Sequence, residues 1–113
     1  MKRIVHFDVA EALTKGSPPT GSLTVPIFSH GSLAVEFYTP RGLDTQKPHL
    51  RDEVYFVARG EALFSDGGQR YSVQPGSCVF VPAGELHQFE AIPHDFAAWV
   101  VFYGPKGGEP DAS

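Results

Sequence analysis

Most of the 113-residue chain consists of short apolar runs separated by glycine and proline. Between Leu33 and Thr39 apolar and polar residues alternate, which is the period of a β-strand with one buried face. The run 96–103 is apolar on both faces, as expected of a central strand that is covered on both sides. The pattern predicts an all-β fold with short strands at 23–29, 33–39, 54–57, 61–65, 69–73, 78–81, 86–91 and 96–103.

The segments between these runs carry strong turn signals. Asp66-Gly67-Gly68 predicts a hairpin, because glycine accepts the positive φ that tight hairpin turns require. Pro26 predicts an edge strand, since proline cannot donate a hydrogen bond to a central ladder. Near the N-terminus, apolar residues at near-helical spacing within 5–15, followed by Gly16, predict a short helix.

Length and composition indicate one domain, because a chain of this size buries one core but not two. The net charge of −4 and the scattered basic residues argue against a nucleic-acid partner. Neither a signal-peptide pattern nor a membrane-spanning run is present, so we expect no membrane association and a cytoplasmic location. The single cysteine, Cys78, excludes an intrachain disulfide, and its apolar strand predicts a buried, unreactive thiol.

The clearest chemical pattern is His49, followed four residues later by Glu53 at the start of an apolar strand. Because side chains alternate along an extended chain, these two residues share one face. The same spacing would align them on a helix, but Pro48 and the β-branched and aromatic residues after Glu53 favour a strand. Another histidine, His87, follows a strand and the turn Pro82-Ala83-Gly84.

The first of these segments resembles the first motif of the cupin superfamily. That motif runs Gly, five residues, His-x-His, three or four residues, Glu, six residues, Gly, and here Lys47, His49, Glu53 and Gly60 stand at the matching positions. Gly42 lies one residue closer than the opening glycine of the motif. Lys47 replaces the first histidine, and an ammonium group has no lone pair to give a metal.

The segment 76–87 resembles the second cupin motif, with Gly76, five residues, Pro82-x-Gly84, two residues and then His87. Ala91 replaces the asparagine with which that motif usually ends. Together the two motifs identify the chain as similar to a small single-domain cupin over most of its length. The resemblance implies a jelly-roll β-barrel of six to eight strands whose mouth holds a divalent metal.

The resemblance implies that His49, Glu53 and His87 bind one divalent transition metal, which would be Fe, Zn, Mn or Ni, with open positions for water or substrate. The implied function is a metal-dependent enzyme of dioxygenase, isomerase or lyase type acting on a small molecule. The alternative is a non-catalytic small-molecule-binding cupin without a functional metal, in which His49 and Glu53 are only a hydrogen-bonded pair. A homodimer is also implied, and the apolar faces of 54–57 predict cover by the N-terminal segment or by a partner subunit.

Several other residues are candidates for the wall of the pocket: Tyr38, Lys47, Arg51, Tyr55 and Trp99. An aromatic wall with a cation suits a small anionic or carbonyl-bearing ligand, whereas core packing is the alternative role for the aromatic residues. Strand alternation would point Arg51 inward, where it would pair with Glu53 or with the negative charge of a ligand. The predicted organisation is an N-terminal segment at 1–22, which contains the short helix, a cupin barrel at 23–104 and a flexible tail at 105–113.

Overall fold

The computed structural model describes residues 4–110, so the first three residues of the predicted N-terminal segment and the last three of the predicted tail lie outside the described residues. Within 4–110, no helix is long and apolar enough to span a bilayer. The described elements are α1 Val9–Leu13, β1 Thr24–His30, β2 Leu33–Tyr38, β3 Asp52–Arg59, β4 Ala62–Ser65, β5 Arg70–Val73, β6 Cys78–Val81, β7 Gln88–Glu90 and β8 Ala97–Tyr103.

The strands form two antiparallel sheets, with orders β1-β2-β8-β3-β6 and β5-β4-β7. Strand β3 pairs with β8 on one side and with β6 on the other, so it lies inside the larger sheet. Pro26 lies in the edge strand β1, as predicted. The prediction of a closed barrel is corrected by the structure. No strand ladder among residues 4–110 joins the two sheets into one cylinder.

The predicted hairpin joins β4 and β5. The Asp66 carboxylate accepts hydrogen bonds from the backbone N–H groups of Gly68 at 2.9 Å and Gln69 at 2.8 Å. Gly67 has a φ of +94°, a conformation that residues with a side chain rarely adopt. The turn therefore forms from local chemistry, and it sets the register of the smaller sheet.

The hydrophobic core lies between the inner faces of the two sheets. Tyr55, Phe64, Phe89 and Phe96 are almost completely buried there. Phe89 packs edge-on against Tyr55 with ring centroids 5.0 Å apart, and its ring lies 4.9 Å from that of Phe96. Each large buried side chain of this kind contributes about 1.5–3 kcal/mol to folding.

A second, smaller cluster covers part of the outer face of the five-stranded sheet. Helix α1 begins with a capping box, in which the Asp8 carboxylate accepts from the Glu11 N–H at 2.8 Å and the Glu11 side chain accepts from the Asp8 N–H. Ala12 from this helix packs with Phe37 and Trp99 of strands β2 and β8. The predicted helix is therefore present, but it is shorter than 5–15.

Part of that outer face is exposed within the described residues. Phe56 on β3 is 43% exposed and Phe80 on β6 is 54% exposed. Two covers were predicted for 54–57, the N-terminal segment or a partner subunit, and the structure does not show the first, because α1 packs against β1, β2 and β8 instead. The prediction of a buried thiol is also wrong, since Cys78 lies on the exposed face of the edge strand β6.

Asp52, the first residue of β3, joins the segments that surround the candidate site. Its carboxylate accepts hydrogen bonds from the backbone N–H of Ala83 at 2.9 Å and of Glu109 at 2.8 Å. The Gly107 N–H donates to the Leu50 carbonyl at 2.7 Å. The turn before His87 and the segment after β8 are thereby held against the start of β3.

Candidate metal centre

Glu53 is fully buried on the inner face of β3. Alternation along β3 places Tyr55 and Val57 on the same face, inside the main core. Among residues 4–110, neither carboxylate oxygen of Glu53 has a hydrogen-bond partner of good geometry. A buried carboxylate without a partner is strongly destabilising, and the groups near Glu53 that could carry a positive charge are His87, at 3.0 Å, and His49, at 3.8 Å.

His87 lies in the bend between the Pro82-Ala83-Gly84 turn and β7, and it is 1% exposed. Its Nδ1 lies 2.9 Å from the Glu85 carbonyl oxygen, to which the Nδ1–H donates. In the neutral ring this tautomer leaves the lone pair of Nε2 facing Glu53, whose Oε1 is 3.0 Å away. The ring is thus oriented by its backbone partner in the way that metal-ligating histidines usually are.

Two opposing influences act on the pKa of His87. Burial lowers the pKa, but the Glu53 carboxylate and the Glu85 carbonyl outweigh burial, so that the pKa lies above its ordinary value. The protonated ring is therefore the form that partners Glu53 in the metal-free protein at mildly acidic pH. A metal bound at this position would take the place of that proton.

His49 lies in the lead-in to β3, defined here as residues 44–51, and its side chain is 34% exposed. Its Nε2 is 3.8 Å from Glu53 Oε1. Its carbonyl accepts from the Gly84 N–H at 2.8 Å, so both histidine-bearing segments are tied together. The ring packs edge-on against Phe102, with centroids 5.2 Å apart.

The structure brings together the three residues that the sequence motifs singled out. One donor atom from each of His49, Glu53 and His87 lies within 4.8 Å of the other two. Two imidazoles and one carboxylate are a donor set that suits Fe(II) and catalytic Zn, with positions left open for water or substrate. Because Glu53 also has no hydrogen-bond partner among the described residues, this group fits a divalent transition metal.

A buried polar network adjoins the triad, and its members Asp44 and Gln46 were missed by the sequence analysis. The Gln46 side-chain N–H donates to Asp44 at 2.6 Å, and its Oε1 lies 3.1 Å from His49 Nε2. Asp44 also accepts from the Tyr38 hydroxyl and from the Phe89 N–H. The sequence signal for both residues was weak: each is polar and stands shortly before Lys47, which occupies the first histidine position of the cupin motif.

Tyr55 connects this network to the triad. Its hydroxyl donates to Gln46 Oε1 at 2.7 Å and lies 3.1 Å from His87 Nε2. Burial, followed by the carboxylates of Glu53 and Asp44, raises the pKa of Tyr55 well above its ordinary value. Tyr55 therefore remains a neutral donor at physiological pH.

The other pocket candidates are in different surroundings. Tyr38 is buried and donates to Asp44, and burial raises its pKa above its ordinary value. Arg51 does not point at Glu53 as strand alternation would require, because the lead-in is not part of β3; its guanidinium donates to the carbonyls of Ser32 and Gly104. Trp99 packs 4.8 Å from Phe37 on the outer face, away from the triad.

Two cavities flank the triad. A cavity of about 710 Å³, the mouth cavity, is lined by His49, Lys47, Arg51, Lys106 and Phe102, among others. A second cavity of about 620 Å³ opens between β5 and β6 and reaches His87. Because His49 is the partly exposed member of the triad, the mouth cavity opens onto the triad from the His49 side.

Comparison with known proteins gives a family and a fold. The profile of the family described as Cupin domain matches residues 34–103. An uncharacterized protein of Streptomyces coelicolor is 48% identical over 63 residues, a stretch that covers 56% of this chain and 60% of that relative. The chain thus spans less than two thirds of the curated relative it matches.

Solved structures resemble the fold. A cupin-2 domain containing protein from Shewanella frigidimarina has a TM-score of 0.70 at 15% identity, covering 87% of this chain and 94% of that chain. The DMSP lyase DddQ from Ruegeria pomeroyi has a TM-score of 0.51 at 32% identity, over 65% of this chain and 39% of that chain. The first likeness concerns the fold alone, whereas the second is also a likeness of sequence.

Proposed function

The chain belongs to the cupin-domain family, and on that premise we propose that it binds one divalent transition metal through His49, Glu53 and His87 and acts on a small molecule at that metal. The observation that carries the proposal is the convergence of the three donor atoms around a fully buried carboxylate that has no hydrogen-bond partner among the described residues. The metal would be Fe, Zn, Mn or Ni.

When bound, such a metal supplies Lewis acidity toward a carbonyl, carboxylate or enol oxygen of the substrate. The residues of the chain hold and surround that centre. Glu53 supplies the negative charge, the Glu85 carbonyl orients His87, and the Tyr55 hydroxyl remains a proton donor beside His87.

The mouth cavity favours a small anionic substrate. Lys47, Arg51 and Lys106 line it, and within residues 4–110 none of these cations forms an ion pair with a carboxylate. Glu36 is the acidic residue in the same wall, and its carboxylate accepts from Thr24. An excess of cations at an opening attracts anions to the donor atoms behind it.

Lyase, isomerase and dioxygenase chemistry are the reaction classes we propose to test, in that order. The likeness to a DMSP lyase, at 32% identity, places lyase chemistry first. A fold alone does not select a reaction, so the order follows sequence likeness and not architecture.

The second candidate function is a non-catalytic small-molecule-binding cupin without a functional metal. It is favoured by the 3.0 Å contact between His87 and Glu53, because a protonated His87 already supplies a cation to the buried carboxylate. In this case the triad is a polar cluster, and the mouth cavity binds a ligand without catalysing a reaction.

A screen of small carboxylates by ligand-observed NMR separates the two candidates. The enzyme proposal expects binding that requires added metal, loss of binding in His49→Ala, and conversion of at least one ligand to product. Binding that is equal with and without metal and is unaffected by His49→Ala would favour the non-catalytic alternative. His30→Ala is the matched control, because His30 ends the edge strand β1 and does not line either cavity.

We also propose that the chain forms a homodimer through the exposed part of the outer face. Phe56 and Phe80 stand on the neighbouring strands β3 and β6, which pair in register. Exposed apolar side chains on adjacent strands favour an interface, since burying them removes apolar area from water. Phe56→Asp with Phe80→Asp is expected to convert a dimer to a monomer in light scattering, and a monomeric wild type would contradict this proposal.

A further inference from the structure

We infer that Gln46 gives the metal a fourth protein donor, the oxygen of its side-chain amide. The inference rests on the metal site proposed above and goes beyond it, because Gln46 does not stand at either histidine position of the cupin motif. Lys47 occupies the position of the missing histidine, and its exposed side chain lies in the wall of the mouth cavity. Gln46 is 6% exposed and faces the triad.

The distance from Gln46 to His49 is that of neighbouring ligands on one ion. Two donors bound at about 2.1 Å, with an angle of about 90–109° between them, are about 3.0–3.4 Å apart. Gln46 Oε1 lies 3.1 Å from His49 Nε2, and His87 Nε2 lies 3.0 Å from Glu53 Oε1. The spacing of Gln46 from His49 therefore matches that of His87 from Glu53, whereas His49 Nε2 lies farther, at 3.8 Å, from Glu53 Oε1.

The orientation of the Gln46 amide is determined by its partners. Asp44 accepts from the amide nitrogen at 2.6 Å, and a carboxylate cannot donate, so the nitrogen must point toward Asp44. The amide oxygen then points toward the triad, where it also accepts from the Tyr55 hydroxyl at 2.7 Å. Asp44 is held in turn by the Phe89 N–H at 2.8 Å, so the whole arrangement is anchored in β7.

A metal at the triad would remove the proton that the contact between Gln46 and His49 needs as a hydrogen bond. In the metal-free protein the Nε2–H of His49 donates to Gln46 Oε1 at 3.1 Å. When Nε2 binds a metal it loses that proton, and two lone pairs would face each other across the same distance. A shared cation removes the repulsion, because both atoms then donate to it. The resulting set is two imidazole nitrogens, one carboxylate oxygen and one amide oxygen.

Co(II) titration of the wild-type protein, Gln46→Leu and Gln74→Leu tests the inference. Gln74 is exposed and lies outside both cavities, so the same chemical change there is the matched control. Loss of an outer-shell partner typically weakens metal affinity by about 10- to 100-fold, and we expect Gln46→Leu to cost at least as much. Its visible absorption spectrum should also change in shape, whereas Gln74→Leu should match the wild type in both affinity and spectrum.

Wild-type affinity and an unaltered spectrum in a folded Gln46→Leu protein would overturn the inference. If Gln46→Leu does not fold, a crystal structure of the wild-type protein with Zn²⁺ decides, because Oε1 should lie at about 2.0–2.2 Å from the ion. A distance outside the coordination range, such as the roughly 3 Å of a hydrogen bond, would overturn the inference while leaving the triad in place. A wild type that binds no Co(II) would instead overturn the proposed function, and the two failures are therefore distinguishable.

Discussion

The two histidines of the candidate site differ in how firmly the fold holds them. His87 is 1% exposed, and its ring has a backbone acceptor on one side and Glu53 and Tyr55 on the other. His49 has a side chain that is 34% exposed, and Gln46 is its nearest polar partner. His87 therefore lies in the core, and His49 lies at the mouth cavity.

This difference indicates a site with one preorganised half and one adjustable half. In the site we propose, the buried half, Glu53 with His87, would contribute to folding as well as to metal binding. In the site we propose, the exposed half, His49 with Gln46, would contribute to metal binding and faces the mouth cavity. Substitutions in the two halves should therefore separate stability from affinity.

The largest effect is expected from His87→Ala. Removing one member of a buried ionic pair typically costs about 3–5 kcal/mol, because the partner charge remains buried and uncompensated. Metal binding should be lost at the same time. Urea unfolding measures the first effect and metal titration the second, and a fully stable His87→Ala protein would contradict the assignment of His87 to the core.

His49→Ala should separate the stability of the fold from the affinity for metal. We expect loss of metal binding with a change in unfolding free energy of less than about 1 kcal/mol, since the side chain is partly solvated and makes few buried contacts. The same titration and unfolding measurements apply, with His30→Ala as control. A destabilisation as large as that of His87→Ala would remove the distinction between the two halves.

Tyr55→Phe tests the connection between the halves, because the hydroxyl contacts both Gln46 and His87. The loss of one buried hydrogen bond should cost about 1 kcal/mol of stability. Metal affinity should fall by about 10-fold, as expected of an outer-shell partner. An unchanged affinity, measured by competition with a chelator, would show that Tyr55 has no part in orienting the ligands.

The smallest expected effect is that of pH, which should change the stability of the metal-free protein and its affinity for metal in opposite directions. The pKa of His87 is raised above its ordinary value of 6.5, so its charged form stabilises the metal-free protein below that pH, and the stabilisation is lost as pH rises through the pKa of the folded protein. Metal binding should become tighter over the same rise, because metal and proton compete for Nε2. Thermal unfolding with and without Zn²⁺ checks both signs, and parallel changes would contradict the role given to His87.

Much of the fold was predictable because it depends on local patterns. The alternation in β2, the apolar run of β8 and the Asp66-Gly67 turn each identify their element without reference to distant residues. The extent of closure was not predictable, since it depends on hydrogen bonding between sheets. Nor was the exposure of Cys78, which follows from β6 lying at a sheet edge.

The candidate site was predictable only where its geometry follows from a strand. Glu53 and Tyr55 face inward because β3 begins at Asp52 and alternates from there. The lead-in before β3 does not alternate, so the direction of Arg51 is determined by the carbonyls of Ser32 and Gly104, which are distant in sequence. Gln46 was missed for the same reason, since its direction depends on Asp44 and hence on β7.

Elemental analysis of untagged protein, purified without chelator beside His49→Ala and His87→Ala, tests the central claim most directly. The account predicts close to one transition-metal ion per chain in the wild type and none in either variant, with the element identified in the same measurement. A wild-type protein that holds no metal, even after incubation with Fe(II), Zn²⁺, Mn²⁺ and Ni²⁺, would contradict the metal site and leave a ligand-binding cupin with a buried His–Glu cluster.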